Sequence, residues 1–188
     1  VAHGLITGML FFVAGSVKER FHTLEIRRMG GLLLQAPRMG WILGFCAMAS
    51  LGLPGLAGFW GEFPAILASY QPVAGLSDPL FRAYMVVAAF GTVFAAGYLL
   101  WLLQRIAFGV PRDEWEGQHF HDVELPEWLA WTPLLILIVV LGFLFVTLVL
   151  GLVRLGVPAW LSTLVVTVVL FIGAAILAVM GKKKFAAV

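Results

Sequence analysis

Charge is scarce in these 188 residues: Asp, Glu, Lys and Arg together make up 12%, about half the share of an average soluble domain. With 62% apolar residues and a mean hydropathy of +1.01, that deficit excludes a solvated globular surface and a disordered chain alike. The net charge of +2 is too small to suggest a nucleic acid or other polyanion as partner. Cysteine is nearly absent. Cys46 stands alone in an apolar run, which allows no internal disulfide and reads as packing filler. Missing as well are a Gly-rich phosphate loop, a haem motif, paired catalytic carboxylates and a Ser-His-Asp order, so no covalent or redox chemistry is expected in this chain. There is no repeat with a period of roughly 20–50 residues and no low-complexity tract. The chain opens on Val1 with neither an initiating Met nor a charged stretch ahead of its apolar start. That reads as the trailing part of a longer chain and not as a signal peptide.

What is there is long apolar sequence. Charge-free runs predict spans over Gly4–Val17, Gly40–Gly61 (resuming after Glu62 as far as Tyr70), Ala83–Gln104, Trp128–Val153 and Leu155–Gly181. Only helices and closed barrels satisfy their backbone groups in lipid, and these runs are too long and too uniformly apolar for barrel strands of about ten residues. The expected fold is therefore all-α, a polytopic transmembrane helix bundle. Lys and Arg orient it. Lys18, Arg20, Arg27, Arg28 and Arg38 follow the first span, Arg82 the second, Arg105 and Arg112 the third, Arg154 the fourth, and Lys182, Lys183 and Lys184 close the chain. The alternation predicts Val1 outside and both the Lys18–Arg38 loop and the C-terminus in the cytoplasm. These basic groups read as topology signals. Arg112–Glu127 reads as a solvated acidic cytoplasmic loop, and its His119 and His121 make no metal site. The Trp residues fall mostly near span ends, as an aromatic belt does.

Ionisable groups inside a span cost roughly 2.5–3.5 kcal/mol at a helix centre, so each needs a reason. His3 and Glu62 are the two candidates. Glu62 lies beyond a run in which Gly52, Gly55, Gly58 and Gly61 recur every third residue, flanked by Pro54 and Pro64. Proline removes a helical donor and glycine permits irregular torsions, so one discontinuous helix is predicted, broken near Gly52–Gly61. A regular helix from Gly40 to Tyr70 would extend about 45 Å, against a hydrocarbon core of about 30 Å. Broken helices at membrane depth are tolerated where they line a cavity or are buried in protein, and transporters place ion sites at them. Glu62 is then expected in the first turn of the second half-helix, with Pro64 at a permitted early position. Desolvation opposes its charged form and the half-helix N-terminus favours it, a balance suited to proton exchange.

Ala2-His-Gly-Leu5, Glu19-Arg-Phe-His-Thr23, Met29-Gly-Gly31, Leu51-Gly-Leu-Pro-Gly55 and Gly58-Phe-Trp-Gly-Glu-Phe63 together resemble the C-terminal part of the M-type antiporter-like subunit of bacterial proton-pumping NADH:quinone oxidoreductase, respiratory complex I. The mitochondrial counterpart is subunit 4. The resemblance covers residues 1 to about 140. It implies that His3 belongs to the hydrophilic axis on the family's eleventh helix, and that Glu62 is the broken-helix glutamate of its outward proton channel. It implies half of a channel, because the family's Lys and Glu on earlier helices are absent from these residues. It implies a bacterial inner-membrane location, neighbouring antiporter-like membrane subunits as partners, and flavin, iron–sulfur clusters, NADH and quinone held by other subunits, with no cofactor here. Residues 141–188 depart from the family's pattern. They read as the end of the fourth span, an extra fifth run and a basic tail. A related cation/proton antiporter or membrane-bound hydrogenase complex shares the antiporter-like domain, and a non-transporting scaffold fragment is the reading from another class.

Overall fold

The computed structural model describes residues 1–118, 120–159, 161–166, 168–169 and 172. Six α-helices follow one another: α1 (Ala2–Phe21), α2 (Leu32–Gln35), α3 (Pro37–Ser50), α4 (Phe59–Ala68), α5 (Asp78–Ile106) and α6 (Leu125–Arg154). Single 3-10 turns lie at Ile26–Arg28 and Asp113–Trp115, residues 161–166 are helical as well, and no strand forms among the described residues. α5 and α6, at 29 and 30 residues, are long and apolar enough to cross a membrane. Both extend past the charge-free runs that predict them. α6 begins on Glu124 as a capping box with Glu127, the Glu124 N–H donating to the Glu127 carboxylate at 2.9 Å, so its charged start is helical too. Past Arg154 the chain turns at Gly156 (φ 88°). About half of the expected fifth run, with Trp160 and the lysine tail, lies outside the described residues, and residues 161–166 within it are helical.

The core is a seam of three helices. α1 turns Ile6, Met9, Val13, Val17 and Phe21 inward at helical spacing. Against them α3 sets Met39, Ile42, Leu43 and Cys46, and α6 sets Trp131 and Ile138. Cys46 is fully buried among these side chains. α5 joins only by its last turns, through Leu99, Leu103 and Ile106, and most of its length is exposed.

The two polar connections meet at one end of the bundle, as charge alternation predicts; Asp113, Glu114, Glu116 and Glu124 are exposed as a solvated loop requires, but Trp115, Asp122, Val123 and Glu127 are docked. Residues 112–127 are docked onto residues 18–38. Arg20 grips Glu127 with two bonds of 3.0 and 2.9 Å and donates further to the carbonyls of Ser16, His121 and Asp122. Asp122 accepts from the Arg38 and Met39 N–H groups at 2.9 and 3.1 Å, capping α3 from a distant connection. Arg28 pairs with Glu114 at 3.1 and 2.9 Å, and the Trp115 indole donates to the Arg28 carbonyl at 2.8 Å. Beneath this clasp Phe21, Trp115 and Phe120 stack, with Phe21–Trp115 centroids 5.3 Å apart. The reason is local: α3 leaves orphan N–H groups at its start, and Asp122 reaches them. Arg20 therefore holds structure together in addition to marking topology. His119 lies outside the described residues.

Candidate functional site

The chain leaves helical geometry between Ser50 and Phe59. The Leu53 N–H reaches back to the Met48 carbonyl and the Gly52 N–H to that of Ala49, with Gly52 at φ 73°. This is the glycine-terminated Schellman ending, and Pro54 directly after it cannot resume the helix. Leu53 to Leu56 then forms a turn closed at 3.0 Å, with Pro54 and Gly55 (φ 95°) in its two central places, the pattern of a type II turn. Gly58 and Gly61 act differently. Gly58 is the N-cap of α4 at φ −64°, and Gly61 lies inside α4. A Cβ on Gly58 would stand 2.5 Å from the Ala49 carbonyl, so what its bareness allows is the close return of α4 over the end of α3. Pro64 sits within α4, past the N1 place expected for it; its missing N–H and its ring leave the Trp60 carbonyl without the usual helical donor.

One participant has no counterpart in the sequence reading. Gly142 of α6 seats the turn, and a Cβ there would meet the Gly55 carbonyl at 2.7 Å and the Ala57 nitrogen at 3.2 Å. The available signal was a glycine near the middle of a long apolar helix.

Glu62 falls in the first turn of α4, where the helix dipole favours a negative group. Its Oε2 lies 2.9 Å from the place where a Gly52 Cβ would be. The carboxylate lines a cavity of about 320 Å³ walled by the break, α4 and α5. Thr92 of α5 is the other polar side chain on that wall, and its hydroxyl donates to the Ala89 carbonyl at 2.7 Å. That leaves the Thr92 oxygen able to accept from the cavity. Among the described residues the Glu62 carboxylate has no hydrogen-bond or ion-pair partner. The buried Trp60 indole N–H, also in the first turn of α4, has no partner among the described residues. Fourteen residues of α3 separate the break from the clasp, about 21 Å at about 1.5 Å per residue.

His3 stands apart. It is exposed near the start of α1, its Nε2 3.4 Å from the Thr7 hydroxyl, and it does not line the cavity at Glu62. The structure thus brings together Glu62, Gly52, Pro54, Gly55 and Gly58, and adds Thr92 and Gly142. It leaves His3 outside that group.

An all-α chain with two helices long and apolar enough to cross a membrane, and with a break between α3 and α4, has the architecture of a polytopic membrane protein. The family model described as "NADH:quinone oxidoreductase/Mrp antiporter, TM" matches residues 1–77. Subunit M of the NADH-quinone oxidoreductase of Escherichia coli K12 is 36% identical over 143 residues, which are 76% of this chain and 26% of that protein. Subunit M of Pseudomonas aeruginosa is 40% identical over 109 residues, 58% of this chain and 20% of the relative. Among solved structures, respiratory complex I from Thermus thermophilus with bound NADH matches with a TM-score of 0.63 and 30% identity, covering 75% of this chain and 27% of the matched chain. Over that shared three quarters the chain belongs to the NADH:quinone oxidoreductase/Mrp antiporter family of membrane proteins, and its likeness within it is to subunit M. It spans about a quarter of the length of the curated relatives it matches.

Proposed function

We propose that this chain is the C-terminal portion of an antiporter-like subunit of a proton-translocating NADH:quinone oxidoreductase, and that it supplies half of a proton channel. Glu62 is the proton carrier on these residues. The observation that carries the reading is its place: a carboxylate without a partner, at the first turn of a helix that restarts after a break, facing a cavity. The cavity gives a proton a way in. Once protonated, the carboxyl becomes a donor, and the Thr92 oxygen on the same wall is an acceptor. The transfer needs no redox step in this chain. Flavin, iron–sulfur clusters, NADH and quinone belong to partner subunits, whose electron transfer drives the proton movement. His3 serves farther along the same hydrophilic axis, reached through groups that precede these residues in a complete subunit. The host is the bacterial inner membrane. The clasp end faces the cytoplasm by its basic residues, and neighbouring antiporter-like subunits pack alongside. Relatives named as subunit M favour this reading over a free-standing cation/proton antiporter.

The test is Glu62→Gln in the assembled complex, with proton translocation and NADH:quinone turnover measured on the same preparation. Gln keeps the shape and removes titration. Translocation is expected to fall several-fold, with part of it restored by Glu62→Asp. Undiminished translocation by an assembled Gln variant overturns the assignment.

A further inference from the structure

At the clasp end of α5 a second cavity, of about 740 Å³, is lined by Arg27, Arg28, Arg105 and Arg112 together with Trp101. Arg28 is occupied by its two bonds to Glu114. Among the described residues Arg27, Arg105 and Arg112 have no carboxylate partner, and Asp113 is the only unpaired acid on the wall. Three guanidinium groups against the one free carboxylate of Asp113 leave the opening net positive, which favours an anion there. Guanidinium is the group best shaped to grip a phosphate.

What leads into this opening identifies the anion's carrier. Phe94, Tyr98, Trp101 and Arg105 lie at i, i+4, i+7 and i+11 on α5, a single face of the helix. The three aromatics are 73%, 59% and 48% exposed, and the Arg105 guanidinium lies 5.7 Å over the Trp101 ring. From Phe94 to Arg105 the stripe runs about 16 Å at about 1.5 Å per residue, half of a hydrocarbon core of about 30 Å. It therefore spans one leaflet and ends in a basic cavity at interfacial level, beside a tryptophan of the kind that marks that level.

We propose that this face binds one anionic phospholipid, with the phosphodiester held among Arg27, Arg105 and Arg112 and an acyl chain lying along Phe94, Tyr98 and Trp101. A free phosphate shares the headgroup chemistry but has no use for the aromatic stripe. The site is independent of the role given to Glu62.

The assembled complex is washed extensively in detergent, and retained phosphatidylglycerol is counted by mass spectrometry against added phosphatidylcholine. Wild type is expected to hold about one more phosphatidylglycerol per complex than an Arg105→Gln/Arg112→Gln variant, with Arg105→Lys/Arg112→Lys in between. Trp101→Ala is expected to lower retention as well, and Asp113→Asn to raise it. Equal retention by wild type and the double Gln variant overturns the proposal. So does radiolabelled inorganic phosphate binding at the arginines while Trp101→Ala leaves lipid retention unchanged, which identifies a free anion instead. Should the double Gln variant not assemble, Asp113→Asn decides: raised retention supports the site, and unchanged retention overturns it.

Discussion

Arg20 and Glu62 are both charged groups on an apolar chain, and the structure treats them in opposite ways. Arg20 is 11% exposed in its side chain, and its donors are spread over a carboxylate and three carbonyls. Glu62 faces a cavity and has no partner among the described residues. The pairing of Arg20 removes any freedom to exchange its neighbours, and the isolation of Glu62 leaves a group whose protonation costs no broken bond. The position of a charge in the sequence does not separate these roles; the company it keeps does. The clasp ties connections, whereas the break leaves a gap between them that glycines keep narrow.

The comparison is broken most forcefully at the clasp. Arg20→Ala strips Glu127 of both its bonds to Arg20 and leaves the partly buried carboxylate with only the Glu124 N–H to offset its charge, so about 3 kcal/mol of stability should be lost. A large fall in the thermal midpoint of the assembled protein, with Arg20→Lys recovering only part, is the expected reading. An unchanged midpoint would show that the clasp is ornamental. At the break, Gly142→Ala places a Cβ 2.7 Å from the Gly55 carbonyl, and such overpacking costs about 1–3 kcal/mol. Here proton translocation should drop while the clasp stays intact, as judged by unchanged protease resistance of residues 18–38. If translocation and stability both survive, the turn is not seated on α6. The smallest effect comes from the exposed pair Arg28–Glu114. The hydrogen bond from Arg28 holds the Glu114 carboxyl below its ordinary value of 4.5, a little desolvation working the other way. Its contribution to stability is thus present above that ordinary value and lost as pH falls through the lowered one. Glu114→Gln should be slightly less stable than wild type at neutral pH, and the difference should vanish once acidification passes below the lowered Glu114 value. A difference that persists there would assign the effect to packing.

Long helices were legible because an apolar run announces itself without reference to anything distant. α5 and α6 follow from composition alone, and the Ser-Leu-Gly-Leu-Pro ending of α3 is a local signal with a local cause. Their charged ends were not legible as helix, since Asp78, Glu124 and Glu127 look like loop residues until their capping places are known. Gly61 looked like part of the break because it kept the three-residue spacing, yet it is an ordinary helical position. The clasp was invisible for a different reason: Arg20 and Glu127 are 107 residues apart, and neither segment carries a pattern that names the other. The second polar side chain on the Glu62 cavity was hidden in the same way, Thr92 being one hydroxyl in a span of apolar neighbours.

That separation has a bearing on how the protein is made. Ribosomes add about 5–20 residues per second, so the partner of Arg20 emerges about 5–20 s after Arg20 itself. Throughout that interval the basic ends of α1 and α3 are untied. The arrival of α6 is the event that locks them. Insertion of this segment is therefore completed from its late end backwards, and a chain stalled before residue 127 would leave its earlier helices accessible to membrane quality-control proteases.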